Sequence, residues 1–513
     1  MHHHDSSRRQ FLRRASALSL AGSAASPFAL NLATLGAAAA QTAPGDYKAL
    51  VCIFLFGGND TYNTVLATDA ASWENYNKVR QGSGDAIALR APGTSPVPGA
   101  AVMSPDRLGG VLALTPATVQ TGRSFALHPL LGSAQALFNT HQRLAVVANV
   151  GPLLRPTSKA QYAASNHPKP AKLFSHNDQQ STWQALAPEG ATAGWGGRMA
   201  DLLHAGNGSQ SLFTSISANG NNVWLAGREV MQYQVGGNGA IRLAVDSNRR
   251  LFDSAVAGAA LERIVTTSRS GHLLEQAYVD TTRRSIEAER ALGAALGAGV
   301  VAPYGTPGMN GQNDPLLQYD NPATGAKAAN PLAQQLQIVA RMIGAAGNLG
   351  LRRQVFFVGL GGFDTHDFQN RNHGDLMARL SHGLAYFDSV LAGIGMQDKV
   401  TTFTASDFGR TFTSNGDGTD HGWGAHHFVM GGAVRGGDVY GRFPVYGLSN
   451  GRNDFTSDNQ VGNNGALLPE ISVDQYAATM GRWFGLSDGQ LLDIFPNLTQ
   501  FDASRRNLGF MLA

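Results

Sequence analysis

Two apolar runs in this chain end on the same punctuation. KALVCIFLF at 48–56 stops at Gly57-Gly58, and QVFFVG at 354–359 leads into Gly361-Gly362. Short runs that are apolar on both faces and are bounded by glycine read as buried strands. Two further runs of this kind cover 143–150 and 400–405, and shorter strands are expected at 213–225 and 240–245. Helical patterns fall between them at 130–142, 251–296, 331–344, 373–394 and 473–484. Strands alternating with helices over several hundred residues define an α/β fold with a largely parallel central sheet. Ligands of such sheets bind at the carboxyl ends of the strands. Residues 41–513 are expected to form one domain, with insertions at about 80–125 and 200–325.

Composition removes several alternatives. Only 15% of the 513 residues are charged, against a typical ~25%, which excludes disorder of the highly charged kind. The 62 glycines follow no G-X-Y period, so the chain is not collagen-like. A single cysteine, Cys52, leaves no intrachain disulfide framework, and its place in an apolar run marks it as inert core. The formal charge of +3 hints at an acidic partner. The excess lies in Arg8, Arg9, Arg13 and Arg14, however, and residues 41–513 hold equal numbers of basic and acidic residues. No stripe of basic residues interleaved with aromatics is present, so nucleic acid is not expected as a partner.

The N-terminus reads as an address. Ser7-Arg8-Arg9-Gln10-Phe11-Leu12 has the twin-arginine pattern and precedes a weakly apolar stretch to about Leu35. Ala38 and Ala40 then offer a small-residue cleavage site. Residues 1–40 are therefore expected to be a Tat signal peptide, with the Tat translocase as the partner in export and the periplasm or exterior as destination. No stretch of about 18 apolar residues follows, so no membrane span is expected in the mature chain.

The chemistry gathers where the expected strands end. The first strand leads into Asn59-Asp60-Thr61, a later one into Phe363-Asp364-Thr365-His366, and the next into Ser406-Asp407-Phe408-Gly409-Arg410. Asp420, His421, His426 and His427 follow closely, and three of the 12 histidines beyond the signal fall between 421 and 427. Mixed carboxylate and imidazole ligands suit Zn, Mn or Fe. In an extended loop Asp364 and His366 point the same way. Two neighbouring metals would clamp the attacking and leaving oxygens of a displacement. The competing structural reading is that these aspartates cap helices and shape glycine turns.

GGNDTYNT (57–64), GWGGR (194–198), GGFDTH (361–366), SDFGRT (406–411) and DHGWG (420–424) occur in this order behind the twin-arginine signal. Together they resemble the bacterial domain-of-unknown-function 1501 family over essentially the whole mature chain. That family is similar to the alkaline phosphatase and sulfatase superfamily. The resemblance implies a doubly wound α/β fold with a two-metal site for hydrolysis of phosphate or sulfate esters. It implies that Asp60 is the first-strand metal ligand and that Asp364 and His366 belong to one metal. Asp407 follows the strand that in the superfamily ends in an Asp-His pair. Phe408 stands in the histidine's place here, so Asp420-His421 would supply the missing ligand, or His421 would match the superfamily's later single histidine, with His426 and His427 as further candidates. The superfamily's Ser, Thr or Cys nucleophile finds its first choice in Ser175, activated by metal, with Thr61 and Thr64 competing. His176 is a candidate ligand or neighbour, and the planar fork of Arg410 would neutralise a bound oxyanion.

The formylglycine motif C/S-x-P-x-R is absent around Cys52, and neither G-x-S-x-G at 447–451 nor that at 485–489 has the strand-to-helix setting of a nucleophile elbow. The expected function is an exported metal-dependent hydrolase acting on a small-molecule or polymer ester, with one or two divalent cations (Zn, Mn, Ca or Fe). The alternative is a catalytically inactive exported binding or assembly protein on the same fold.

Overall fold

A computed structural model describes residues 46–512 except 82–85, 238, 241, 243–244, 246–247, 298–300, 450 and 452. The expected signal peptide, and half of the strand expected at 240–245, lie outside the described residues. The central sheet is built from β1 (Lys48–Phe56), β2 (Leu144–Gly151), β3 (Ser215–Ser217), β4 (Tyr233–Gly236), β5 (Gly239–Ala240), β6 (Arg353–Gly361), β7 (Val400–Ser406), β8 (Ala425–Met430), β9 (Val439–Tyr440) and β10 (Ile471–Ser472). Its order is β9-β2-β8-β7-β1-β6-β3-β4-β5, with β10 also paired to β2. β1 runs parallel to both β6 and β7, which places the ends of these three strands side by side.

The sheet is mixed and mostly parallel. β8 lies antiparallel between β2 and β7. This strand was not among those expected, because the paired histidines at 426–427 and the flanking glycines mask its apolar run. Another departure is the helix expected over 251–296. It is two helices, Ala255–Thr266 and Leu273–Leu296, separated at Ser268, Ser270 and Gly271, residues that favour turns over helix interior.

Alternation along β1 divides the core into two layers. Ala49, Val51, Ile53 and Leu55 face one layer, and Leu50, Cys52 and Phe54 face the other. The first layer is closed by α1 (Gly132–Asn139), by α4 (Pro331–Ala345) and by α5 (Gln369–Gly393). The second is closed by α3 (Trp195–Leu203) and α6 (Val473–Phe484). Helix α2 (His176–Ala185) meets α3 and β7 and reaches the carboxyl edge of the sheet. Each buried Leu, Val or Phe contributes about 1.5–3 kcal/mol, and most of β1 is fully buried. Cys52 is among these residues, and burial pushes its thiol well above the usual range, as suits an inert core position.

Helix α6 starts with a capping box from Ser472 and Gln475, and its first turn carries the buried Asp474. Burial pushes the Asp474 carboxyl up to about 7, and its Oδ1 has no hydrogen-bond partner. The folded pKa thus exceeds the unfolded one near 4, so the protonated group is favoured by folding. That contribution is complete below about pH 4 and is lost as pH rises through about 7. Asp474→Asn is expected to be more stable than the wild type at pH 8, by at most about 4 kcal/mol, and this gain is expected to shrink by about 1 kcal/mol at pH 6. Urea denaturation at the two pH values checks this, and an unchanged difference between them would refute it.

Candidate metal centre at the strand ends

Gly57 and Gly58 both have positive φ, 113° and 87°. A Cβ on Gly57 would fall 2.3 Å from the Asp364 backbone nitrogen, and one on Gly58 would fall 2.4 Å from the Phe408 ring. The glycine pair that ends β1 therefore lets the loops after β6 and β7 close over it. Those loops bring Asp364 and Asp407 to one place. The hairpin Arg410–Ser414/Thr419–His421 adds His421, with Arg410 opposite it in register. The first residue of α2 adds His176.

Three imidazoles converge on the Asp364 carboxylate. His366 Nε2 and His421 Nε2 lie 3.1 and 3.3 Å from Asp364 Oδ1, and His176 Nε2 lies 3.4 Å from Oδ2. The opposite nitrogen of each ring has an oxygen partner. His176 Nδ1 donates to Asp407 Oδ2 at 2.7 Å, His366 Nδ1 to Asp420 Oδ1 at 3.2 Å, and His421 Nδ1 to the Phe174 carbonyl at 2.7 Å. In neutral rings these bonds place the proton on Nδ1 and leave the Nε2 lone pair facing the centre. Gln180 and the Gly57 amide also donate to Asp407, at 2.8 and 3.2 Å, and fix that carboxylate in turn.

This donor set fits a metal. His366 Nε2 and His421 Nε2 are 3.0 Å apart, so in their neutral forms two lone pairs confront each other. His176 Nε2 is buried with no hydrogen-bond partner. A cation among these nitrogens would resolve both features, and the Nδ1 bonds are the outer contacts that orient metal-binding histidines. Among the described residues, His176, Asp364 and His421 form one group with ligand atoms within 4.8 Å of one another, and His366 adjoins it.

Electrostatics separate the members. The hydrogen bond that His176 donates to Asp407 raises its pKa above the ordinary value and, with the nearby carboxylate charge, outweighs burial. Burial dominates at His421 and lowers it. Burial would raise Asp364, but Arg410 together with His176 and His366 outweighs it and holds the carboxyl below the usual range.

The remaining expected site residues fall into three environments. Asp407 and Asp420 touch the cluster through histidines rather than reaching its centre. Arg410 is fully buried, with donors engaged by Asp364 Oδ1 at 2.7 Å, by the Gly57 carbonyl and by Thr419. It positions Asp364 and does not present a fork to an oxyanion. Asp60 and His426 stand apart from the cluster. Asp60 is fully buried, and both its oxygens are held by Arg80, at 2.6 and 3.0 Å. His426 accepts the Asn149 amide at 3.0 Å and packs on Phe443, and burial pushes it down to about 3. His427, on the other face of β8, lies against Trp183 and is likewise near 3. A strand alternates its side chains, so these two neighbours could not reach one site together.

The hydroxyl of each expected nucleophile has a hydrogen-bond partner. Ser175 donates to Asp178 at 2.9 Å. Thr61 accepts the His426 amide, and Thr64 donates to the Asp60 carbonyl. Arg80, Gln180 and the Phe174 carbonyl carried no sequence signal. Arg80 ends the polar helix Ala70–Arg80, where a basic residue reads as a solvent-facing charge, and a carbonyl has no side-chain identity to read.

The protein is thus α/β, with a His/Asp cluster fit to hold a metal at the carboxyl edge of its sheet. The chain belongs to the family described as "Protein of unknown function (DUF1501)", whose model matches residues 47–495. No curated protein matches it. Among solved structures, Ps i-CgsB has a TM-score of 0.33 at 8% identity, covering 89% of this chain and 77% of that one. The PsFucS1 sulfatase from Pseudoalteromonas sp. has a TM-score of 0.31 at 9% identity, covering 89% and 71%. Ps i-CgsB in complex with k-i-k-neocarrahexaose has 0.31 at 9%, covering 90% and 77%. Likeness at this level bears on neither activity nor substrate.

Proposed function

We propose that the protein is an exported, metal-dependent hydrolase of phosphate or sulfate esters. The observation that carries this reading is the convergence of three Nε2 atoms on Asp364 with every Nδ1 tied to an oxygen. His176, His366, His421 and Asp364 would hold the cation. Three imidazoles and one carboxylate favour Zn, Mn or Fe over Ca, which takes oxygen ligands. When bound, the cation supplies Lewis acidity toward the ester oxygens and lowers the pKa of water.

The chain's own residues orient that centre. Asp407, Asp420 and the Phe174 carbonyl fix the three ring tautomers, and Arg410 fixes Asp364. With Ser175, Thr61 and Thr64 engaged elsewhere, water takes the place of the side-chain nucleophile. The same engagement favours a second reading, an exported binding or assembly protein that has kept the centre without turnover.

Elemental analysis of the purified chain is expected to find about one equivalent of Zn, Mn or Fe, lost in Asp364→Ala. A panel of phosphate and sulfate monoesters is expected to show metal-dependent hydrolysis that falls at least about 100-fold in that variant. Metal without turnover would favour the second reading, and absence of metal would overturn both.

A further inference from the structure

Phe368 is a poor fit to its own place in the fold. It directly precedes α5, where Ser, Thr, Asp or Asn in an extended conformation is usual. Its backbone is left-handed instead, at φ 52° and ψ 35°. A phenylalanine keeps that conformation only where neighbouring contacts impose it. Packing of the side chain does not offset the strain, since it is 69% exposed and joins none of the apolar clusters of the core.

The contacts that impose the conformation come from the hairpin that builds the His/Asp cluster. Asp417, in the turn of that hairpin, accepts the Phe368 amide at 2.9 Å, and its carbonyl accepts the Gln369 amide at 3.0 Å. Three residues on, Asp420 accepts from His366 at 3.2 Å. Gly418 allows the close approach, since a Cβ there would fall 2.1 Å from the His366 carbonyl. One turn thus fixes both the cluster histidine and the exposed ring two residues after it. Two residues of chain span at most about 7 Å, so Phe368 borders the cluster. The cluster is itself open to solvent, with the Asp364 and His366 side chains 44% and 40% exposed.

Around the ring the surface is polar and roomy. The Phe368 carbonyl accepts the Arg371 and Asn372 amides at 3.1 and 3.0 Å. Those two residues, with Gly362, Asn321 and Thr324, line a cavity of about 430 Å³, within the size range of small-molecule sites. Gly362 is two residues from Asp364, so the cavity lies against the loop that carries the cluster. An alkyl chain needs a continuous apolar groove, which a single ring among Asp, Arg and Asn side chains does not supply. A flat ring with polar substituents matches these surroundings, its face on Phe368 and its edge toward amide and guanidinium donors.

We propose that Phe368 sets leaving-group specificity by stacking on the ring of a cyclic alcohol whose phosphate or sulfate ester lies at the His176–Asp364 cluster. The proposal rests on the hydrolase reading of that cluster.

The test is calorimetric binding of phenylphosphonate, n-hexylphosphonate and methylphosphonate, which cannot be hydrolysed, to the full chain loaded with Zn. The wild type is expected to hold phenylphosphonate about tenfold more tightly than methylphosphonate. Phe368→Asn is expected to bring the two within about twofold by weakening phenylphosphonate alone. It is also expected to melt no lower than the wild type, because asparagine tolerates the left-handed conformation. Phe368→Trp is expected to keep the preference. A preference that survives in Phe368→Asn, or n-hexylphosphonate held as tightly as phenylphosphonate, would overturn the ring subsite while methylphosphonate binding still supports the hydrolase reading. A lower melting temperature in Phe368→Asn would overturn the subsite in favour of a packing role for the ring. Failure of the wild type to bind any of the phosphonates would remove the hydrolase reading and the subsite with it.

Discussion

Arg80→Ala is expected to destabilise the protein by about 3–5 kcal/mol, one of the largest single-residue effects outside the core. Both Arg80 and Asp60 have fully buried side chains. The guanidinium also donates to Asn63 and to the carbonyls of Phe412 and Thr411, at 2.7, 3.0 and 2.9 Å. Truncating it strands a carboxylate in a site from which water is excluded. Burial alone would raise the Asp60 pKa, and Arg80 outweighs it. Removing both charges together, as Asp60→Asn/Arg80→Met, is expected to cost less than Arg80→Ala alone, because no unpaired ion remains. Urea midpoints of the three proteins check this, and additive losses would contradict it.

The loss should also be felt at the His/Asp cluster. Gln369 donates to Asp60 and accepts from Thr419 Oγ1 at 2.8 Å. Thr419 accepts from Arg410, and Arg410 holds Asp364. Asp60, the residue expected to bind metal, is thus linked to the cluster through buried polar groups rather than joining it.

Acidification is expected to unfold the protein cooperatively between about pH 5 and pH 4. His128, His373, His426 and His427 are buried, and burial is the leading cause of each depressed pKa. His373 falls to about 4, and His426 and His427 to about 3. A folded pKa below the unfolded value near 6.5 means that the unfolded chain takes up the proton first. The stability contribution is complete above about pH 6.5 and is lost as pH falls toward the folded values. Each group contributes about 1.4 kcal/mol per pH unit in that window, and four together about 5. Denaturation free energies measured from pH 7 to 5 give the slope. His427→Gln is expected to reduce it by about one proton, and a flat profile would refute the mechanism.

Much of the frame was legible because it depends on local pattern. The apolar runs at 48–56, 143–150, 354–359 and 400–405 become β1, β2, β6 and β7. The strand ends also marked Asp364, His366, Asp407 and His421 as neighbours. The divergence of Asp60 and His426 depends on partners that local pattern does not announce. Arg80, the last residue of the helix Ala70–Arg80, turns inward onto Asp60, and Asn149 and Phe443 enclose His426. The position of β8 was equally hidden, since its register depends on β2, more than 270 residues earlier.

The place of β2 has a consequence during synthesis. Its sheet partners are β8, β9 and β10, all beyond residue 424. An eight-residue strand that is buried throughout in the finished protein emerges with both edges unpaired. At roughly 5–20 residues per second, about 15–55 s pass before β8 is available. Open apolar edges invite pairing between nascent chains. Quality control on this polypeptide therefore concentrates on its last ninety residues, which complete the sheet around a strand made long before them.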